Sequence, residues 1–274
     1  TNLLEDLGYG ERIVAVSEEE LTQEESTESI NSEESTESVS GETVSQSETA
    51  ARVSIGTALS PDIEAIVTAA PDLVFTTAPM TKAQLDLLSN AGIQVMVMPA
   101  IDSLDALLTR YDAVIRVMDG AIEADTAGVA LVEAIQNDVV AKLPAEKKSF
   151  LAVCTLDPYV VTPDTLEGSL LSLIGTNAVT GTSYTADDLS AQADIVLAAA
   201  PLTADNLSQS ETFASNETIK AGNVVEFDRD GMRSGTKEVV EALRSAAQAM
   251  YPDIDFSVND IEIADSSEDS ESSL

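Results

Sequence analysis

A fourteen-residue pattern occurs twice in this chain and limits its fold more than any other feature. Residues 72–85 read DLVFTTAPMTKAQL and residues 194–207 read DIVLAAAPLTADNL, with the same residue at six of the fourteen positions. Each copy has an apolar run typical of a strand buried on both faces, and then Pro79 or Pro201, which cannot donate to a sheet. Thr81 and Thr203 next suit the N-cap of a following helix. The pattern therefore predicts two similar α/β lobes with parallel sheets.

The spacing of these units also predicts the domain organisation. The copies are 122 residues apart, which favours an N-terminal α/β lobe at 1–120 and a C-terminal α/β lobe at 144–256. A long helix at 121–143, about 35 Å in length, would join the two lobes; an ordinary covering helix of one domain is the alternative. Because open parallel sheets bind ligands beyond the carboxyl ends of their strands, facing lobes would enclose a ligand cleft.

Two segments stand apart by composition. Residues 17–49 contain eleven Glu and no Lys or Arg, and 25 of these 33 residues are Glu, Ser or Thr. Such a segment cannot bury enough apolar surface to offset its ordering entropy, so we expect a disordered insertion, with a cation-collecting or phosphorylatable loop as the alternative. Residues 257–274 form an acidic tail.

Charge and missing residue types exclude several functions. The net charge is −36, which argues against nucleic acid as a partner, because binding it requires basic residues that neutralise phosphates. The chain has no His, so Ser-His-Asp and Cys-His catalysis and His-containing zinc sites are ruled out. The single cysteine, Cys154, lies in the apolar run FLAVC and reads as a buried, inert thiol. We expect neither an enzyme nor a resident cofactor or metal.

Four segments resemble the class III substrate-binding proteins of ABC importers, the family that binds siderophores, haem and cobalamin. They read LLEDLGYGERIVAVS, IGTALSPDIEAIVTAAPDLVF, NAGIQVMVMP, and SLLSLIGTNAVTG followed by ADIVL and AGNVVEFD. In order and spacing the resemblance covers most of residues 1–256. It departs from the family pattern at Ala193, where a proline is usual, and in having no counterpart of the strand that usually precedes the opening helix.

The resemblance implies a monomeric, extracytoplasmic protein that hands a small ligand to an ABC permease. It also implies a periplasmic or cell-surface location, the latter through a lipid anchor that these residues do not contain. In the family, an acidic residue on each lobe docks on permease arginines. The matching positions are Glu64 and either Asp187 or Asp188. Glu64 has a simpler explanation as an acid near a helix start, with Ser60 expected as the N-cap.

The ligand is expected to contact loops that follow the strands. An arginine presents a rigid fork of donors that suits a carboxylate or the oxyanions of an iron chelate, although a surface ion pair with Asp228 or Asp230 is the alternative for the arginines. A tyrosine can stack on a ligand or ligate haem iron, or simply pack. The predicted ligand-binding residues are Thr57, Thr77, Met80, Tyr159, Tyr184, Arg229 and Arg233.

A siderophore-like iron chelate is the ligand left by elimination. Relatives that capture bare metal ions use histidines and cobalamin binders usually offer tryptophan, and this chain has neither. One rival hypothesis is an α/β enzyme of similar architecture, but no glycine-rich phosphate loop of known spacing is present. The other is a surface adhesion or scaffold protein in which the acidic segments act as spacers.

Overall fold

The computed structural model describes residues 2–21, 52–120 and 126–257. Most of the predicted insertion at 17–49 and nearly all of the acidic tail at 257–274 lie outside these residues, and so do the first residues of the predicted helix at 121–143. Residues 18–21, at the start of the predicted insertion, are helical.

The N-terminal part alternates helices with short parallel strands. β1 pairs with β2 and β3 pairs with β4, both in parallel. No sheet hydrogen bonds join these two pairs within the described ranges. The elements are α1 (Asn2–Asp6), β1 (Ala15–Val16), β2 (Val53–Ser54), α2 (Ile63–Ala69), β3 (Leu73–Thr76), α3 (Lys82–Asn90), β4 (Gln94–Val97) and α4 (Leu104–Asp119).

The C-terminal part is built on a larger sheet. β5 pairs in parallel with β7 and β8, β8 pairs in parallel with β9, and β6 is antiparallel to β5. The elements are α5 (Thr126–Ala134, continued by a π-helical turn at Ile135–Val139 and a 3-10 turn at Val140–Lys142), β5 (Ser149–Thr155), β6 (Tyr159–Val160), α6 (Leu166–Ile174), β7 (Thr176–Asn177), α7 (Ala186–Leu189), β8 (Ile195–Ala199), α8 (Ala204–Gln209), α9 (Glu217–Lys220), β9 (Val224–Phe227), α10 (Arg229–Arg233) and α11 (Glu238–Met250).

Both copies of the fourteen-residue pattern fold into a strand followed by a capped helix, as predicted. Thr81 accepts a hydrogen bond from the Gln84 N–H, and the Gln84 side chain accepts one from the Thr81 N–H at 2.8 Å. Thr203 and Asn206 form the same reciprocal cap. The two strands belong to different sheets. β8 is buried along its whole length, whereas only Val74 is buried in β3, so burial on both faces was wrong for the first copy.

The start of α2 differs from the prediction. Asp62, not Ser60, caps this helix, and its side chain accepts a hydrogen bond from the Ala65 N–H at 3.0 Å. The Asp62 N–H donates to the Ile55 carbonyl at 2.9 Å, so the chain returns to β2 before it enters the helix. Gly56, with φ of 78°, permits the tight turn that this pairing requires.

The buried apolar residues form three separate clusters. Ile66, Val74, Leu88 and Ile93 form a small cluster between α2, α3 and the β3–β4 pair. A much larger cluster covers one face of the C-terminal sheet and includes residues of α4, α5, α6 and α11, and a third covers the opposite face. α4 and the described part of the predicted 121–143 helix thus pack on the C-terminal sheet. That this helix joins two lobes stays a prediction.

Candidate functional site

Arg229 lies at the carboxyl end of β9 and is the centre of a cluster of functional side chains. Its guanidinium lies over the Tyr159 ring, 5.1 Å from the centroid, and its Nε donates to Glu167 Oε1 at 3.1 Å. Tyr159 begins β6 and Glu167 lies in the first turn of α6. The cluster is therefore built from segments that follow β5 and β9, the position expected for ligand contacts in a parallel sheet.

Hydrogen bonds at the starts of α10 and α6 fix the positions of Arg229 and Glu167. The Asp228 side chain accepts a hydrogen bond from the Gly231 N–H at 2.9 Å, which ends β9 and makes Arg229 the first residue of α10. Thr165 caps α6 by accepting from the Gly168 N–H at 3.1 Å. A Cβ at Gly168 would lie 2.0 Å from the Thr162 carbonyl oxygen. Glycine therefore allows the close approach that holds the start of α6, and with it Glu167, against the preceding loop.

The cluster carries an excess of one positive charge. The Glu167 side chain is only 4% exposed, and Arg233 Nε also lies near it, at 3.6 Å from Oε1. Two guanidinium groups thus share one buried carboxylate. Burial lowers the pKa of Arg229, but Cys154, Glu167 and Tyr159 raise it, and the net pKa is raised. Arg229 is therefore charged at physiological pH.

Cys154 lies at the inner side of this cluster and agrees with the predicted inert thiol. Burial raises its pKa to about 11; the nearby Arg229 lowers it, and Glu167 raises it further. With this raised pKa the side chain is a neutral thiol at physiological pH, and it is inert because only the thiolate is a good nucleophile. It leaves the charge of the site unchanged.

Glu167 was not identified from the sequence, although a signal was present. It is the only acid in the apolar helix LEGSLLSLI, and a buried acid requires a partner. The alternative for Arg229 was an ion pair with Asp228 or Asp230. Arg229 does form an ion pair within the described residues, but its partner is Glu167. Asp228 instead caps α10.

The two tyrosines predicted to bind the ligand, Tyr159 and Tyr184, are held in place by contacts within the protein. The Tyr184 hydroxyl donates to the Pro158 carbonyl oxygen, and its ring packs against the second cluster of the C-terminal part. Tyr159 contacts the main cluster on one side and carries Arg229 on its face. Both rings are thus engaged by the protein, and the Tyr159 ring helps to position Arg229.

The three predicted residues of the N-terminal part lie elsewhere. Thr57, Thr77 and Met80 line a cavity of about 600 Å³ whose lining residues all precede residue 119. The structure therefore does not bring these three into one cavity with Tyr159, Tyr184, Arg229 and Arg233. The Thr57 hydroxyl accepts a hydrogen bond from the Ser60 N–H at 3.0 Å, and so belongs to a turn.

Arg233 has a different environment from Arg229. Its side chain is 53% exposed and lines a shallow surface depression that has more acidic than basic groups. This depression does not favour an anion, so Arg229 is the stronger candidate for ligand contact. The lining residues are Asn2, Asp228, Asp230, Gly231, Arg233, Ser234, Glu238 and Glu241.

The acidic residues predicted to dock on a permease differ in their availability. Glu64 is exposed in the first turn of α2, and Asp187 is exposed in α7. Among the described residues neither carboxylate has a salt bridge or a side-chain hydrogen bond. The Asp188 carboxylate, in contrast, accepts from the Thr185 N–H at 2.7 Å and from its hydroxyl at 2.8 Å, so it is occupied in the cap of α7.

Two further properties concern the part of the chain that the structure describes. No helix there has the length and apolar character needed to cross a bilayer. No group of three or more His, Cys, Asp or Glu side chains there has a geometry that could hold a metal ion.

The fold is similar to that of several solved solute-binding proteins. The periplasmic heme-binding protein HutB of Vibrio cholerae superposes with a TM-score of 0.66 and 20% identity over 92% of this chain and 95% of that chain. A possible iron-binding protein of Staphylococcus epidermidis gives 0.63 and 16% over 92% and 95%. The periplasmic vitamin B12-binding protein BtuF of Vibrio cholerae gives 0.62 and 15% over 92% and 93%.

These comparisons confirm the predicted fold class, a mixed α/β protein with parallel sheets and the fold of periplasmic binding proteins. The three neighbours are solute-binding proteins and not enzymes. No protein-family model matches the chain, and no curated protein matches its sequence significantly.

Proposed function

We propose that this chain is the extracytoplasmic substrate-binding component of an ABC importer, and that its ligand binds between an N-terminal and a C-terminal lobe. The similarity of its fold to proteins named for binding heme, iron and vitamin B12 supports this function. In this proposal the protein is not an enzyme. It captures a small molecule and releases it to a membrane permease.

The arrangement around Arg229 is the observation that carries the proposal. Its Nε is used by Glu167, and among the described residues its two Nη groups have no hydrogen-bond partner. A guanidinium held by a buried carboxylate and an aromatic ring loses little rotational freedom on binding, and its remaining donors suit a carboxylate or another oxyanion. In a chain of net charge −36, such a group gives local attraction for an anionic ligand.

An anionic iron chelate of the siderophore type fits this site. Its oxyanions would take the free Nη donors of Arg229, with Arg233 at the rim. Thr57, Thr77 and Met80 would contact the ligand from the N-terminal lobe once the lobes close on it. The iron would arrive inside the chelate, so the protein itself needs no metal ligands.

Glu64 and Asp187 are the carboxylates proposed to dock on arginines of the permease. Both are exposed in first turns of helices that lie in different parts of the chain. Asp188 is removed from this role because its carboxylate caps α7. We further propose that the protein is a monomer, held outside the cytoplasm in a periplasm or by a lipid anchor.

Thermal-shift measurements test the function directly. The purified chain is heated with ferric catecholate and hydroxamate siderophores, ferric citrate, heme or cyanocobalamin, each with its iron-free or cobalt-free counterpart where one exists. A ligand at 100 times its Kd stabilises a protein by about 2.7 kcal/mol, which raises the Tm of a domain of this size by roughly 5–10 °C. Stabilisation by a ferric chelate alone supports the proposal. Stabilisation by heme or cobalamin alone would correct the ligand, and no stabilisation by any of them would overturn the function.

A further inference from the structure

Asp6, the last residue of α1, is a buried carboxylate whose partners are far away in the sequence. Its Oδ2 accepts hydrogen bonds from the Lys237 N–H at 2.9 Å and from the Tyr111 hydroxyl at 3.1 Å. Its Oδ1 lies 2.8 Å from Lys237 Nζ. The Asp6 side chain is 9% exposed, and a carboxylate removed from water to this degree requires such donors. All three donors belong to other elements, the hydroxyl to α4 and the two nitrogens to the start of α11.

The contact with Lys237 makes Asp6 a cap for α11. Lys237 lies at the N-cap of this helix, and its own side chain makes no capping hydrogen bond. Thr236 Oγ1 accepts from the Glu238 N–H at 3.3 Å, and the Asp6 carboxylate accepts from the Lys237 N–H. A helix N-terminus carries a partial positive charge and therefore favours a carboxylate. Because α11 is buried in the main apolar cluster on the C-terminal sheet, Asp6 fastens α1 to a fixed element of the C-terminal part.

α1 also contacts the N-terminal part. Glu5 Oε1 lies 2.6 Å from Nη2 of Arg52, which directly precedes β2 and has a side chain only 10% exposed. Leu3 lines the cavity of the N-terminal part and also packs, with Leu7, against the main cluster of the C-terminal part. Two consecutive acids of one helix, Glu5 and Asp6, thus bind different parts of the chain.

The Asp6 contact is the direct polar link between the two parts. Among the described residues, no other hydrogen bond or ion pair joins residues 2–98 to residues 126–257. α4 lies between these ranges in the sequence and reaches the C-terminal part through the Leu104 N–H, which donates to Ser169 Oγ at 3.3 Å. Loss of one carboxylate therefore removes the only direct polar contact between these described ranges.

This contact lies beside the Arg229 cluster. Lys237 follows Arg233 by four positions. Asn2, the first residue of α1, lines the same surface depression as Arg233, and the other residues of that depression come from α10, α11 and the segments next to them. α1 therefore borders the cluster on the side where α10 leads into α11.

We propose that Asp6 is a latch that holds the N-terminal and C-terminal parts of the chain together beside the Arg229 cluster. When the Asp6 contact breaks, α1 moves away with the N-terminal part, to which Glu5 and Arg52 keep it attached, and the chain opens next to Arg229. The carboxylate is the essential group, because the exposed ammonium of Lys237 alone contributes little. The proposal does not rest on the transport function, since it concerns the conformation of the chain without a ligand.

Distance measurements test the latch. Spin labels are attached at Ser89→Cys on α3 and Ser208→Cys on α8, two exposed positions, in a Cys154→Ala background. Double electron–electron resonance then gives the distribution of distances between them. We expect one population in this labelled parent and, in Asp6→Ala, an additional population displaced by more than about 2 Å. Lys237→Met, which keeps the backbone N–H, should show the additional population to a smaller extent.

Hydrogen exchange locates the change. Exchange of the Lys237 N–H, followed by NMR, should be at least about tenfold faster in Asp6→Ala, because this amide loses a hydrogen bond to a charged group. Exchange of residues 149–155 in β5 should stay unchanged, since the C-terminal sheet does not depend on the latch.

Asp112→Asn is the matched control, because it removes a surface carboxylate that pairs with Arg116 within α4. Far-UV circular dichroism checks that each variant is folded, and if Asp6→Ala is not, the result for Lys237→Met alone decides. The proposal is overturned if neither Asp6→Ala nor Lys237→Met produces the additional distance population, or if Asp112→Asn produces it as well.

Discussion

The Nε of Arg229 donates to the Oε1 of Glu167 at 3.1 Å across 62 positions of the chain. This bond joins the first turn of α10 to the first turn of α6 at the carboxyl ends of the C-terminal strands. Because the carboxylate is buried and the guanidinium is partly exposed, the acid acts as an internal anchor and the arginine presents its remaining donors outward.

Arg229→Gln is expected to weaken binding of a ferric chelate by roughly 10- to 100-fold, because a hydrogen bond to a charged group contributes about 1.5–3 kcal/mol. Titration followed by tyrosine fluorescence quenching gives the Kd. Arg116→Gln is the matched control, since Arg116 pairs with Asp112 on the surface of α4. Equal affinity of the two variants would remove Arg229 from the binding site.

Glu167→Gln is expected to lower the free energy of unfolding by about 1–3 kcal/mol, because it leaves the partly buried Arg229 without its carboxylate. Urea denaturation measures this. Glu217→Gln, which breaks an exposed i,i+3 pair with Lys220, should change stability by less than about 0.5 kcal/mol. A loss for Glu167→Gln no larger than for Glu217→Gln would show that the buried pair does not stabilise the fold.

Thr81→Ala and Thr203→Ala should each cost about 1 kcal/mol, because each removes the same reciprocal cap in one copy of the repeated pattern. Chemical denaturation provides the measurement. Thr109→Ala is the control: its hydroxyl donates to the Asp105 carbonyl within α4, and alanine has the higher helix propensity at such a site. The capping interpretation fails if Thr109→Ala is as destabilising as the two cap variants.

Asp194 should make stability depend on acidic pH. Hydrogen bonds from the Ser149 N–H and hydroxyl lower the pKa of Asp194. A carboxyl whose pKa is lowered on folding stabilises the protein above its unfolded pKa, about 3.9, and this contribution is lost as the pH falls through the folded pKa. The Tm difference between wild type and Asp194→Asn should therefore be largest at pH 6–7 and shrink at about pH 3.

Asp72 occupies the corresponding position of the first copy and supplies the control. Its side chain has no hydrogen bond among the described residues, so the Tm difference between wild type and Asp72→Asn should be small. Parallel pH profiles for the two variants would contradict the assignment to the Ser149 contact.

Gly168→Ala should destabilise the protein by about 1–3 kcal/mol, because the new methyl group would meet the Thr162 carbonyl oxygen and force a backbone shift. Gly10→Ala is the matched control, since its nearest atom, Glu5 Cγ, is at an ordinary 3.5 Å. Denaturation of both variants in urea checks the difference. A neutral Gly168→Ala would mean that α6 shifts without cost and does not need the close approach.

Local signals in the sequence predicted much of the fold. The repeated strand–Pro–Thr pattern gave both capped helices, and the apolar run at 149–155 gave the central strand β5. The predicted start of α2 at Ser60 was wrong because the Asp62 N–H donates to the Ile55 carbonyl, so the chain returns to β2 first and Asp62 caps the helix. The predicted burial of β3 on both faces was wrong because Leu73, Phe75 and Thr76 line a cavity, which an apolar run does not reveal.

Sequence alone was sufficient for the fold class and for excluding histidine chemistry, and it singled out Arg229 as a candidate, because periodicity, composition and a rare cation in an acidic chain are properties of single residues and short segments. Only the folded chain revealed Glu167 as the partner of Arg229 and placed Thr57, Thr77 and Met80 in a cavity away from Arg229. Each of these depends on which groups meet across tens of residues, and that is decided by the packing of the whole chain.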